Sequence, residues 1–281
     1  MSRELSLRIR SGIVMIAVAL VCTWYGGLLF RLLAAVIGLG VFWEWARMTR
    51  LGERTIRGLA VGWAAVAAVA ANVVFGDPGF SLPLLAGFLV TLVLMAALRR
   101  WPWWLPGGVL YAGFGIVALA GIRDDDALGF VAMLFLFVTV WATDILAYFV
   151  GRTLKGPKLA PRISPGKTWS GAIGGTLAGV AGGSLVVLSY FSLGGWRIPL
   201  IALVLSVASQ VGDLFESFIK RRFGVKDSSH LIPGHGGVMD RVDGLVSASF
   251  AAFAIAMALA AIQHGATDSV GFLLFDLAGR S

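Results

Sequence analysis

Long apolar runs, cut by short polar segments, set the organisation of this chain. They cover residues 11–30, 31–47, 58–76, 81–98, 107–122, 127–150, 170–191, 196–219 and 245–263. Most come close to the roughly 20 residues that a helix needs to cross the hydrocarbon core. The pattern predicts an all-α fold, a polytopic integral membrane protein with about nine transmembrane helices. A membrane barrel would instead show segments of about ten residues with alternating polarity. Residues 11–47 divide into two short spans around Arg31; one long tilted helix with a re-entrant piece is the alternative.

The polar interruptions orient the spans. With a cytoplasmic N-terminus, only Arg31, Arg123, Arg197 and Arg280 of the 23 lysines and arginines fall outside. The positive-inside rule therefore predicts the N-terminus in and the C-terminus out. The opening MSRELSLRIR and its apolar run resemble a signal peptide, and Ala17-Val18-Ala19 fits the small-residue cleavage pattern. A cleavage site should follow the apolar run, however, and this run continues to Phe30, so the segment reads as a first membrane helix. Trp43, Trp45, Trp101, Trp103 and Trp104 fit an interfacial belt. Asp124, Asp125 and Asp126 read as a solvated turn. Gly171, Gly175, Gly179 and Gly183 recur every four residues, which makes one small helix face for close packing.

Composition agrees with this picture. The 281 residues are 58% hydrophobic and 14% charged, with mean hydropathy +0.86. Soluble domains carry about 25% charged residues. The net charge of +8 is scattered between apolar runs, which fits membrane topology rather than nucleic-acid binding. Cys22 is the single cysteine, so no internal disulfide is possible. The expected organisation is a scaffold of lipid-facing helices over 1–126 and a catalytic membrane region over 127–263. That region carries cytoplasmic loops at 151–169 and 220–244, and a short tail follows at 264–281, read as an interfacial turn of helix.

Three places break the hydrocarbon pattern with ionisable groups. Acids within a span cost roughly 2.5–3.5 kcal/mol at its centre, so they are functional candidates. The first is Asp144, with Tyr148 one turn on and Arg152 at the helix end. A buried acid bonded to Thr143 or Tyr148 is the plain alternative. The second is the segment 152–168, ending Ser164-Pro165-Gly166-Lys167-Thr168. A lysine and hydroxyls before a helix N-terminus suit phosphate oxygens; a solvated positive loop is the alternative. The third is a stripe of Ser206, Gln210, Asp213, Ser217 and Lys220 on one helix face. It could serve interhelical hydrogen bonding alone. Beyond it lie Lys226, Asp227, the turn Pro233-Gly234-His235-Gly236-Gly237, and then Asp240, Arg241 and Asp243. Asp213, Asp240 and Asp243 among lysines and arginines form a hard-oxygen, phosphate-neutralising set, the kit for Mg²⁺-assisted phosphoryl or nucleotidyl transfer.

Ser217-Phe218-Ile219-Lys220-Arg221, then Lys226-Asp227, Pro233-Gly234-His235-Gly236-Gly237 and Asp240-Arg241-Val242-Asp243 resemble the signature of the phosphatidate cytidylyltransferases. Thr143-Asp144, Ala147-Tyr148, Gly151-Arg152 and Ser164–Trp169 are similar to a second block of that family. The likeness spans roughly residues 140–245. Upstream it is confined to hydropathy and the patch Trp43-Glu44-Trp45-Ala46-Arg47. Ser170 stands where the family commonly has glutamate, Gly244 where serine is usual, and Thr153–Gly156 is slightly irregular.

The resemblance implies transfer of the cytidylyl group of CTP to phosphatidate, giving CDP-diacylglycerol and pyrophosphate, with Mg²⁺ and a second metal ion left open. It implies Asp213 and Asp240 as first metal ligands, with Asp243, Asp144 and Asp227 behind them. It implies catalytic or phosphate-binding roles for Lys220, Arg221, Lys226 and Arg241, and orienting roles for Ser217 and His235. Ser164, Lys167 and Thr168 would close the site with Tyr148, Arg152, Gly236 and Gly237. The partners expected are CTP, phosphatidate and the cell membrane, with no nucleic acid and with a homodimer left open. The active site is expected on the cytoplasmic side. The rival readings are a cytidylyltransferase for another lipid phosphate and an ion-coupled transporter.

Overall fold

A computed structural model describes residues 3–124, 126–191, 196–262 and 269–275. Nine helices long and apolar enough to cross a membrane occur among them. They are α1 (Arg3–Tyr25), α2 (Gly27–Met48), α4 (Ile56–Phe75), α5 (Ser81–Arg99), α6 (Trp104–Arg123), α7 (Ala127–Leu154), α8 (Trp169–Tyr190), α9 (Arg197–Arg222) and α10 (Met239–Ile262). Two short α-helices, α3 (Leu51–Arg54) and α11 (Val270–Phe275), and a 3-10 turn (Pro78–Phe80) also occur among the described residues. The protein is a polytopic all-α membrane protein, with one small hairpin among the described residues. Strands β1 (Lys158–Ala160) and β2 (Ser164–Thr168) pair antiparallel, where the sequence reading had only a loop.

Several boundaries move. The first two spans part at Gly26, at φ 62 and ψ −148, and not at Arg31. That backbone conformation is open only to glycine, so Arg31 lies inside α2. Helices α7, α9 and α10 run past their apolar segments because hydropathy ends where charge begins, while backbone hydrogen bonding does not. Trp45 leaves the expected interfacial belt. It is 2% exposed, stacks on Tyr111 and donates its indole N–H to the Trp104 carbonyl at 2.7 Å. Of the tail, only 269–275 is described, and its helix α11 is buried against the protein. The rest of the tail, like Asp125 of the acidic turn, lies outside the described residues.

The chain forms two compact units. One comprises residues 1–120 and 222–242, the other 121–221 and 243–281. In the first, α2 packs against α1 and α4, and α4 against α5. Phe42 and Trp63 meet edge to face at 5.0 Å in its core. In the second, α7 and α8 form the most extensive pair. Here the glycine face does what its spacing predicts. A Cβ on Gly175 would lie 2.5 Å from the Thr143 carbonyl oxygen, and one on Gly179 2.2 Å from Thr143 Oγ1. Only glycine lets these backbones approach so closely. Helix α11 packs on α7, Phe275 meets Phe135, and Arg197 donates to the Leu273 carbonyl at 2.7 Å.

Candidate active site

In the second unit the polar face of α9 divides along its length. Its N-terminal part ties helices together. Ser206 Oγ and Thr143 Oγ1 are hydrogen-bonded at 2.7 Å, and Gln210 donates to Thr176 Oγ1 at 2.8 Å. These residues carry the interhelical alternative and no chemistry. Its C-terminal part is ionic. Asp213 Oδ2 pairs with Lys167 Nζ, and the Ser217 hydroxyl reaches Asp213 Oδ1 at 3.4 Å. Lys220 pairs at 2.5 Å with Glu216, whose side chain is 1% exposed. Asp243 lies within electrostatic reach of Asp213, Asp144 and Lys220, and its Oδ1 accepts from the Gly244 N–H at 2.8 Å. Asp243 thus has two further carboxylates and a lysine within electrostatic reach.

Lys167 comes from β2, whose register pairs Lys158 with Thr168 and Ala160 with Ser164. Thr168 then caps α8, its Oγ1 accepting from the Gly171 N–H at 3.1 Å. Thr168, expected at the substrate, thus also starts α8. Ser170 donates to the Lys155 carbonyl and bonds Thr168 Oγ1 at 3.1 Å. The residue that departs from the family pattern therefore fastens the end of α7 to the hairpin.

The first unit holds the loop 223–238. Ile232-Pro233-Gly234-His235 closes with His235 N–H donating to the Ile232 carbonyl at 3.0 Å. Proline presets the second position, and Gly234 takes φ +77 at the third, the residue pattern of a type II turn. Asp240, in the first turn of α10, folds back onto this loop. Its Oδ2 accepts from Ser228 N–H at 2.9 Å, Ser228 Oγ at 2.9 Å and Gly237 N–H at 2.8 Å. Glu44 of α2 is fully buried. It accepts from Ser228 Oγ at 3.0 Å, Ser229 Oγ at 2.6 Å, Val238 N–H at 2.8 Å and Met239 N–H at 2.6 Å. His235 Nδ1 lies 2.8 Å from Ser11 Oγ of α1. Burial, then the charges of Arg241 and Arg8, hold the His235 imidazole below the usual histidine range, against an opposing hydrogen bond to Pro233.

Against known proteins, the sequence profile of the cytidylyltransferase family matches residues 6–260. The chain belongs to the cytidylyltransferase family. A phosphatidate cytidylyltransferase of Brucella abortus biovar 1 (strain 9-941) is 47% identical over 249 residues, covering 88% of this chain and 91% of its own length. One from Rickettsia typhi is 31% identical over 251 residues, covering 87% and 88%. One from Haemophilus influenzae is 45% identical over 142 residues, 49% of each chain. As a member of this family the protein is a nucleotidyltransferase, and its polar residues can be sorted with that in mind.

The structure brings Asp144, Asp213, Asp243, Lys167, Lys220 and Ser217 into one unit, and Asp240, His235, Gly236 and Gly237 into the other. Of the expected metal ligands, Asp213 belongs to one unit and Asp240 to the other, where Asp240 Oδ2 accepts hydrogen bonds from the loop. Ser164 is half-buried on β2, while Lys226, Asp227, Arg221 and Arg241 are exposed. Tyr148 and Arg152 are also exposed and bond each other at 2.6 Å. Glu44 was missed. It sat in the Trp43–Arg47 patch, which carried only a family likeness, between two tryptophans read as an interfacial belt, and its partners lie 184 to 195 residues further along.

No three histidine, cysteine or acidic side chains converge as a ready-made cage among the described residues. Mg²⁺ does not need one. It usually takes one or two carboxylates and completes its shell with water and substrate phosphates. The hard-oxygen set of Asp213, Asp243 and Asp144 fits that requirement.

Proposed function

We propose that the protein transfers the cytidylyl group of CTP to phosphatidate, releasing pyrophosphate, at the cytoplasmic face of the cell membrane. The observation that carries this is the acid group of Asp213, Asp243 and Asp144 with Lys167 and Lys220 beside it, in a chain of the cytidylyltransferase family. A phosphatidate oxygen attacks the α-phosphorus of CTP. The new P–O bond forms as the bond to the β-phosphate bridging oxygen breaks, and pyrophosphate carries the charge away. The attacking phosphate monoester is already anionic near neutral pH, since its second pKa is about 6. Little general-base help is needed, and the barrier is repulsion between anions.

The residues answer that barrier. Asp213 and Asp243, supported by Asp144, would hold Mg²⁺, which when bound neutralises phosphate charge. Lys167, poised on Asp213 by the hairpin, and Lys220, poised on Glu216, would turn to the phosphates. The exposed Arg221, Lys226, Arg241 and Arg152 supply further positive charge. His235, kept neutral at pH 7, would orient substrate by hydrogen bonding instead of by charge. The excess of basic residues on one set of helix ends supports the cytoplasmic placement.

Incubating the purified protein with labelled CTP and a panel of lipid phosphates, with and without Mg²⁺, tests the reading. Product with phosphatidate, dependent on Mg²⁺, is expected. Product only with another lipid phosphate would replace the substrate, and no turnover with any would end the proposal. Crosslinking in intact membranes tests the homodimer that the sequence leaves open.

A further inference from the structure

We infer that Glu44 is a positioning residue for this reaction, acting through the loop 228–239 on Asp240 and the Gly236–Gly237 turn. The inference rests on the proposed transfer reaction only for its kinetic readout.

Three observations support it. First, Glu44 is fully buried, and a buried carboxylate needs compensation from hydrogen bonds or charge. Four donors from residues 228–239 provide it. Second, two of those donors are backbone N–H groups at the start of α10. The first N–H groups of a helix have no partner within it, and a negative charge there is favourable. Glu44 therefore caps α10 from another helix. Third, Ser228 Oγ lies 3.0 Å from Glu44 Oε2 and 2.9 Å from Asp240 Oδ2. One hydroxyl links the cap to Asp240. Gly237 completes the latch, because a Cβ there would lie 2.0 Å from Ser228 Oγ and 2.4 Å from Glu44 Oε1. The loop can close on Glu44 only with glycine at that point.

Releasing the latch would let the turn and Asp240 shift. A displacement of about 1 Å at a reacting site costs on the order of a hundredfold in rate. The test uses full-length protein in detergent and compares wild type with Glu44→Gln, alone and combined with Asp240→Asn. Glu44→Gln is expected to lower kcat at least about tenfold per folded molecule, with KM for phosphatidate held within about threefold. In the Asp240→Asn background the same change should cost less than about twofold, because the two act as one unit. Wild-type kcat in Glu44→Gln, or an undiminished effect in the double variant, would overturn the inference.

Amide exchange is read in parallel. Protection of residues 228–239 should fall in Glu44→Gln, and unchanged protection would also overturn the inference. Exchange does not depend on the lipid, so a wild type inactive on phosphatidate sinks the substrate reading alone. If Glu44→Gln fails to fold, Ser229→Ala removes one of its four donors. A smaller fall in kcat and protection is then expected, and wild-type values in both would decide against the latch.

Discussion

Two groups of carboxylates in this protein are treated in opposite ways. Glu44 and Asp240 are satisfied by one loop: six donor groups of residues 228–239 reach them, with the Ser228 hydroxyl shared between the two. Asp243 instead lies within electrostatic reach of Asp213, Asp144 and Lys220, and Asp213 is paired with Lys167. The first arrangement lowers the energy of a single loop geometry. The second concentrates like charge, which costs stability unless a cation or a set of bound phosphates with metal relieves it. The first pair shares the donors of one loop and holds it in place; the second set has partners too, but it gathers like charges near one another beside lysines.

The largest effect should come from breaking the gathered group. Asp213→Asn is expected to cut turnover by about a hundredfold or more, the scale of losing one electrostatic contact to a charged transition state. Its melting temperature should change little, since loss of the Lys167 ion pair is offset by weaker repulsion with Asp243. Steady-state kinetics beside thermal unfolding checks both, and a lower melting temperature would place Asp213 with the satisfied acids. Asp240→Asn should behave differently, losing stability as well as turnover. It places an amide where three donors converge, at about 1–3 kcal/mol for the mismatch, read as a lower melting temperature.

A weaker effect concerns pH. Burial, Arg241 and Arg8 hold His235 below the ordinary histidine value of 6.5. The folded protein thus binds fewer protons at this site than the unfolded chain does. The stability it contributes is fully present above the unfolded value and is lost as pH falls through the folded one. Thermal unfolding between about pH 7 and pH 5 should show a falling melting temperature, and His235→Asn should flatten that slope. The smallest effect sharpens the other side. Lys155 ends α7 at φ 57 and ψ −138, a region natural only to glycine. Such strain is worth about 1–3 kcal/mol, so Lys155→Gly should raise the melting temperature. An unchanged or lower value would show that the hairpin does not depend on this strained joint.

Much of the gathered group was legible in the sequence, because its members advertise themselves. Asp144 and Asp213 interrupt apolar helices, and Ser206 to Lys220 repeat with helical period. The period also put Ser206 and Gln210 on the same face as Asp213, and it could not tell that the first two would be consumed by Thr143 and Thr176. Lys167 was legible as a cation near a helix start, but not as the ion-pair partner of Asp213. The hairpin that presents it pairs strands of three and five residues, too short to leave a pattern among prolines and glycines.

By itself the sequence determined the nine apolar helices, the glycine face of α8 and the family to which the chain belongs. Each rests on local order: hydrocarbon length, a four-residue spacing, or a contiguous motif. Only the tertiary structure decided which acids are latches and which gather beside lysines. A carboxylate's role depends on how many donors reach its oxygens, and for Glu44 those donors come from the far end of the chain.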